Sequence, residues 1–321
     1  MLRRSALLGA ALLPLLAAAS AHAQDLPPRP VRMVVPYAPG GTTDILARLL
    51  AQHFQAEFGQ PLVIETRPGA GGTVGTAQVA ASPPDGTILV MGTPGTHATA
   101  LYPNLPYAPA RDFAPVVLVA NVPNVVVVNP SLPVNDIAGL IAAAKARPGS
   151  INYGSAGSGA TTHLSGELFR MMTGAQIVHV PYRGSGAALI DLQAGQVQMM
   201  FENLPGAIGL VREGRLRALA VTSPRRVAAA PELPTVAEAG VPGYSVVSWF
   251  AIFAPAGTPA PVVSRLNQGF RRILGMPEVR SRLVDLGAEP ADGPPEDLAR
   301  LVTEETERWT RVIREARITI Q

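Results

Sequence analysis

Apolar residues recur along this chain in short runs and helical stripes that alternate from residue 31 onward. The run Val31-Arg-Met-Val-Val35 reads as a buried strand, with Pro36 to Thr43 as the loop after it. From Asp44 to Phe58 the residues Ile45, Leu46, Leu49, Leu50, Phe54 and Phe58 fall at helical spacing. Thr42, Thr43 or Asp44 can cap that helix, and Gly59 stops it. Leu62 to Thr66 predicts the next strand, Thr73 to Ala81 a short helix and Thr87 to Met91 a third strand. Such alternation implies an α/β fold, a mostly parallel sheet with helices on its faces.

A second series begins at Val125. Val125 to Val128 reads as a strand, Asn135 to Ala146 as a helix and Ile151 to Tyr153 as a short strand. The Gly-rich stretch Gly154-Ser-Ala-Gly-Ser-Gly-Ala160 leads into a helix over Thr161 to Thr173. Strands at Ile177 to Val180, Val197 to Phe201 and Leu216 to Val221 follow, with a helix at Ala187 to Ala194. Two internal echoes link the halves. Val35-Pro-Tyr-Ala-Pro-Gly-Gly-Thr-Thr-Asp-Ile45 parallels Val180-Pro-Tyr-Arg-Gly-Ser-Gly-Ala-Ala-Leu-Ile190, and Val126 to Ala146 parallels Ile252 to Ile273. Matches this short also arise by coincidence. Read as real, they predict two related α/β lobes, residues 24–123 plus 249–321 and residues 124–248. The chain crosses near Pro123 and returns near Trp249, and a C-terminal helix over Pro295 to Ala316 packs on the first lobe.

Composition narrows the compartment. Arg3 and Arg4, the apolar stretch Ala6 to Ala19 and the small-x-small site Ala21-His22-Ala23 read as a signal peptide over residues 1–23. The mature chain then begins near Gln24 in the periplasm. Whether the arginine pair marks twin-Arg or general export stays open. No later run is long and apolar enough to span a bilayer. Two of the 26 basic residues leave with the leader, so 24 face 23 acidic ones; there is one lysine, Lys145, and no Lys/Arg cluster. Nucleic acid is therefore not an expected partner. The absence of cysteine excludes disulfides and thiolate chemistry.

Enzyme signatures fail in turn. Lys145 follows Ala144, so no phosphate-binding Gly-Lys-Ser/Thr loop exists, and Gly69-Ala-Gly71-Gly72-Thr-Val74 has Val where a dinucleotide fingerprint needs Gly. The histidines His53, His97, His163 and His179 show no metal-ligating spacing. No metal or cofactor is expected. What remains is a pair of Gly-rich strand-to-helix loops, Pro36 to Asp44 and Gly154 to His163. In open α/β sheets ligands bind at that edge, and the first amides of a helix lack internal partners at the positive end of its dipole. Ser155, Ser158, Thr161 and Thr162 add hydroxyls. Each loop alone reads equally well as an ordinary capped turn. Facing each other across a cleft, the two make an anion site without Lys or Arg.

The same residues carry a resemblance over the whole mature chain. Pro36-Tyr-x-Pro-Gly-Gly-x-x-Asp44, Arg67-Pro-Gly-Ala-Gly-Gly72, Asp112-Phe-Ala-Pro115, Val127-Val-Asn-Pro130 and Asn152-Tyr-Gly-Ser-Ala-Gly-Ser-Gly159 belong to it. His179-Val-Pro-Tyr-Arg-Gly184, Leu216-Arg-Ala-Leu-Ala-Val-Thr-Ser223 and Ala254-Pro-Ala-Gly-Thr-Pro259 extend it. In these the chain resembles the tripartite tricarboxylate transporter substrate-binding proteins, the Bug-type solute receptors. The resemblance implies a type-2 periplasmic-binding-protein fold with two hinged lobes. It implies a monomer that holds a small carboxylate in the cleft and delivers it to membrane transporter subunits. Carried over by residue, the contacts are Tyr37, Pro39, Gly40, Gly41, Thr42, Thr43 and Asp44 in the first loop. The second supplies Ser155, Ala156, Gly157, Ser158, Gly159, Thr161, Thr162 and His163, and Tyr182 follows. Where the family often has Met-Phe-Asp-Asn this chain has Met200-Phe-Glu202-Asn203. Glu202 is read either as a partner for a ligand amino group or as a solvated strand end, and Arg183 as a partner for a second carboxylate. Two alternatives remain: a ligand-presenting sensor subunit, and an exported ester hydrolase built on Ser155 or Ser158 with His163.

Overall fold

The computed structural model describes residues 26–97, 101–102, 104–315 and 318, so the leader lies outside the described residues. The chain opens with β1 (Val31–Val35), α1 (Thr42–Phe58), β2 (Leu62–Thr66), α2 (Thr73–Ala80), β3 (Ile88–Gly92) and the short α3 (Pro94–His97) and α4 (Pro109–Asp112). Then come β4 (Phe113–Val128), α5 (Ile137–Ala146), β5 (Ile151–Ser155), α6 (Thr161–Thr173), β6 (Ile177–Pro181), α7 (Ser185–Gln193), β7 (Met199–Asn203), α8 (Leu204–Arg212) and β8 (Arg217–Val221). The last elements are β9 (Val247–Pro255), α9 (Ala260–Gly275), α10 (Pro277–Asp285), β10 (Glu289–Pro290) and α11 (Pro295–Glu315).

The strands run in the order β2-β1-β3-β9-β4-β7-β5-β6, with β8 and β10 pairing β4 beside this path. β1 pairs β2 and β3 in parallel, and β5 pairs β6 and β7 in parallel. Between these parallel groups, β4 and β9 run antiparallel to their neighbours. β4 is one continuous strand where the sequence reading placed only Val125 to Val128. Its first part pairs β9, down to Pro123 opposite Val247; from Asn124 on it pairs β7, and from Val125 also β8. Pro115 and Pro123 hid this strand, because proline lacks the N–H of a regular ladder. Pro115 sits at a register shift, and Pro123 falls where β4 changes partners.

Both faces of the sheet are covered, which explains the near-continuous apolar strands. In β1, Val31, Met33 and Val35 pack with α1, α9 and α10, while Val34 points to the opposite face, which α11 covers. α1 buries Leu46, Ala47, Leu50 and Phe54 along one stripe and stops at Gly59, whose positive φ lets its N–H reach Gln55 O. α11 sets Leu298, Val302 and Trp309 against β4 and α3. Trp249 lies at the start of β9, 2 % exposed.

Candidate functional site

Four helices begin around one hollow. α1 starts at Thr42, α6 at Thr161, α7 at Ser185 and α8 at Leu204, and none of the four has a side-chain cap on its first-turn amides. Tyr37, Gly41, Thr42, Thr43, Ala156, Thr161 and Thr162 line the hollow, together with Ala38, Thr93, Ala160, Ser185, Asn203 and Phe250. No basic side chain is among them. The hollow offers about 20 Å³ to the centre of a water molecule, little more than one water requires. The first loop is bonded to the β6–α7 loop, where Ala38 N–H donates to Arg183 O at 2.9 Å, and the second to the segment between α3 and α4, where Tyr102 OH donates to Ser158 O at 2.7 Å; Tyr37 of the first packs with Ala156 and Ala160 of the second.

Side chains behind the lining hold it in place. Tyr37 OH and Thr93 Oγ1 are 3.0 Å apart, and burial pushes the phenol well above its usual range. Asp44 accepts from Gly40 N–H at 3.1 Å and from Arg48 Nε at 2.8 Å, so this acid ties the loop to α1 and does not face the hollow. Pro39 and Gly40 are exposed on the outer side of the loop. In the second loop Thr162 Oγ1 accepts from Ala156 N–H at 2.9 Å, and Thr161 Oγ1 meets Ser248 Oγ at 2.5 Å. Ser248 Oγ also accepts from Asn203 and bonds Asn124, which joins the start of α6 to the strands β4, β7 and β9.

Ser155 and His163 act from behind. Ser155 Oγ accepts from Gly157 N–H at 3.1 Å and lies 2.7 Å from His179 Nε2. His163 Nδ1 accepts from Gly159 N–H at 3.1 Å, and its ring stacks on His179 with centroids 4.0 Å apart. Burial holds His163 near 4 and His179 near 3, so both rings are neutral at neutral pH. The ester-hydrolase pairing of Ser155 or Ser158 with His163 is therefore not formed: Gly159 occupies His163 Nδ1, and Ser155 is fully buried against His179. Gly157, Ser158 and Gly159 shape the loop without lining the hollow. Tyr182 OH donates to Asp191 at 2.7 Å, and the Arg183 side chain is exposed.

Glu202 departs from the solvated reading: it is 0 % exposed. Its side chain leaves β7 on the Met200 face, toward α7 and α8, while Asn203 points the other way. Sequence reasoning missed Ser185, although the echo between residues 35–45 and 180–190 had signalled it. The β6–α7 loop is the counterpart of the β1–α1 loop and packs against it. Thr93, just past the end of β3, and Phe250, within β9, were not read as site residues, since each reaches the hollow from an element distant in the chain.

The family model for the tripartite tricarboxylate transporter family receptor matches residues 46–318. Among solved structures the chain is similar to Rpa4515 of R. palustris with adipate, at 45 % identity and a TM-score of 0.90, covering 92 % of this chain and 100 % of that one. It is also similar to periplasmic binding protein BugD, at 36 % identity and a TM-score of 0.88 over 92 % and 100 % of the two chains. MatC of Rhodopseudomonas palustris, solved with bound malate, shares 38 % identity at a TM-score of 0.86, covering 89 % and 99 %. These likenesses give the α/β architecture its name, the periplasmic binding protein fold. The chain belongs to the tripartite tricarboxylate transporter receptor family, whose members are solute receptors and not enzymes.

Proposed function

We propose that this receptor binds a small dicarboxylate between two lobes, residues 24–123 plus 249–321 and residues 124–248, in the periplasm. The leader over residues 1–23 is removed near Ala23, and the loaded receptor delivers its ligand to the membrane subunits of a tripartite transporter. Among the described residues no helix is long and apolar enough to cross a membrane, in keeping with this role. The observation that carries the reading is the convergence of four uncapped helix starts on one hollow free of basic side chains. One ligand carboxylate sits there, bonded by backbone amides and by the hydroxyls of Thr42, Thr43, Thr161, Thr162 and Ser185. Hydrogen bonds to a charged group contribute roughly 1.5–3 kcal/mol each. Four or five, less the costs of ordering, give about −8 kcal/mol, a micromolar dissociation constant.

A hollow of about 20 Å³ does not admit a dicarboxylate. The loops must part for entry, by a hinge in the strands that cross between the lobes, β4 and β9. The homologues solved with adipate and with malate point to the dicarboxylate class. Isothermal calorimetry with mono-, di- and tricarboxylates tests this. Micromolar binding of adipate or malate is the expected result, and folded protein that binds none of the panel overturns the reading.

A further inference from the structure

Glu202 stands apart from every other acid in the described chain. It is 0 % exposed, and neither Oε1 nor Oε2 has a well-formed hydrogen bond, although the Ser185 hydroxyl and Asn203 N–H lie nearby. Thr42 Oγ1 is likewise buried without a partner. A methyl group built on Gly206 would stand 2.7 Å from Glu202 Oε1 and 3.4 Å from Thr42 Oγ1, so these unpartnered groups crowd one point. That point is where the start of α1, in the first lobe, meets α7 and α8 of the second. Thr42 and Ser185 both line the proposed ligand hollow, and Glu202 lies directly behind them.

No charge compensates the acid. β4, which pairs beside it, carries no charged residue. On α1 the nearest charges are Asp44 and Arg48, bonded to each other. On α7 Asp191 accepts from Tyr182, and at the end of α8 Arg212 donates to Ala229 O and Asp285 O. Burial pushes the Glu202 carboxyl up to about 8, which the nearby Ser185 hydroxyl and Asn203 N–H offset only in part. A buried, unpaired carboxylate is costly, so the group is neutral when the lobes are shut. Parting α1 from α7 and α8 opens this point to water, where an ordinary carboxyl is ionised at neutral pH.

We propose that closing the cleft over Glu202 makes this residue take up a proton, so that ligand binding by this receptor is linked to proton binding. The proposal rests on the dicarboxylate-receptor reading and deepens it. The arriving ligand carboxylate acts in the same sense, because an anion beside Glu202 further disfavours its ionised form. A second carboxylate just behind this hollow without its proton would repel the ligand. The proton removes that repulsion and leaves an O–H that can donate toward Thr42.

Linkage sets the sign. The closed form binds the proton more tightly than the open form, so affinity is highest at low pH and declines as pH rises toward the closed-form value. The adipate dissociation constant of the wild-type protein is measured from pH 6.5 to 9, above the range where adipate itself titrates. It should rise about tenfold per pH unit up to roughly 8 and then level off. Calorimetry at pH 7 in buffers of differing ionisation enthalpy should show uptake of close to one proton per adipate bound. In Glu202→Gln, which keeps the shape and cannot ionise, the affinity should no longer vary over this window and the uptake should vanish. Adipate binding with no proton uptake by the wild-type protein overturns the proposal and leaves the receptor reading standing. So does linkage that persists in Glu202→Gln, or an amine-bearing ligand that binds more tightly as pH rises and is lost in that variant. Failure of every carboxylate to bind overturns the receptor reading and this proposal with it.

Discussion

Gly41 sets how closely the β1–α1 and β6–α7 loops approach. Its backbone is extended (φ −87°, ψ 173°), a conformation open to any residue, but a Cβ there would stand 3.1 Å from Ser185 Cβ. Valine adds two further methyl groups toward the start of α7. Gly41→Val should therefore keep the fold and keep the loops apart. Adipate binding by calorimetry should weaken by ~100-fold or more, about 3 kcal/mol, with little change in the unfolding midpoint. Retained affinity would place the site elsewhere. Among single residues, Tyr37, Gly41, Thr42, Thr43, Ala156, Thr161 and Thr162 line the hollow; the family resemblance implied each of them as a contact, while local loop chemistry pointed to the glycine and to the Thr161 and Thr162 hydroxyls. Asp44, Ser155 and His163 were legible as important but not in their roles, since which way a side chain turns depends on neighbours distant in sequence. The Arg183 carbonyl, not its guanidinium, makes the loop contact. Glu202 read as a solvated strand end or a ligand partner and not as a buried acid, because nothing local reveals that three helices converge on it.

The unit that presents the second loop is β5, the glycine-rich turn and α6, pinned from behind by imidazole rings. Ser155 Oγ serves Gly157 N–H and His179 Nε2 at once, so Ser155→Ala leaves two buried groups short of a partner. Each unsatisfied buried group costs roughly 1–3 kcal/mol. Urea denaturation should show a loss in that range, and adipate binding should weaken because the loop that carries Ala156 loosens. An unchanged stability would mean that water replaces the hydroxyl. Helical and strand periodicity found most such units. The strand Leu62–Thr66 and the helix Thr161–Thr173 were read to the residue, and α1 begins two positions before Asp44. The length of β4 was not legible. A strand that changes partners midway needs no uniform pattern, and its prolines imitate a boundary. Helix stops were easier, because Gly59 and Gly174 adopt the left-handed conformation that ends a helix whatever surrounds it.

For the molecule as a whole, stability against acid depends on buried imidazoles. Burial holds His97 near 3, His163 near 4 and His179 near 3, against an ordinary 6.5. The unfolded chain then binds more protons than the folded one below pH 6.5, so the contribution of these rings is complete above that value and falls as pH drops toward 4. The slope is at most about 1.4 kcal/mol per pH unit for each ring. Glu202 has the opposite sign: its contribution is complete below about 4.5 and lost as pH rises through about 8. Denaturant unfolding should therefore show an optimum between these limits. His97→Phe should make the acid side shallower, since His97 is fully buried against Phe253 and its replacement removes one protonation. An acid limb unchanged in His97→Phe would show that other groups carry it. The amino-acid sequence by itself determined the α/β class, the alternation of elements, the two amide-rich loops and the lack of any thiolate or phosphate-loop chemistry. All of these follow from periodicity, residue type and glycine placement within a dozen neighbours. Only the tertiary structure decided that β4 runs unbroken from Phe113 to Val128 and changes partners at Pro123, that α7 and α8 add two more helix starts to the hollow, and that Glu202 is sealed behind it. Burial and the convergence of helix ends depend on how distant segments pack, which no local pattern encodes.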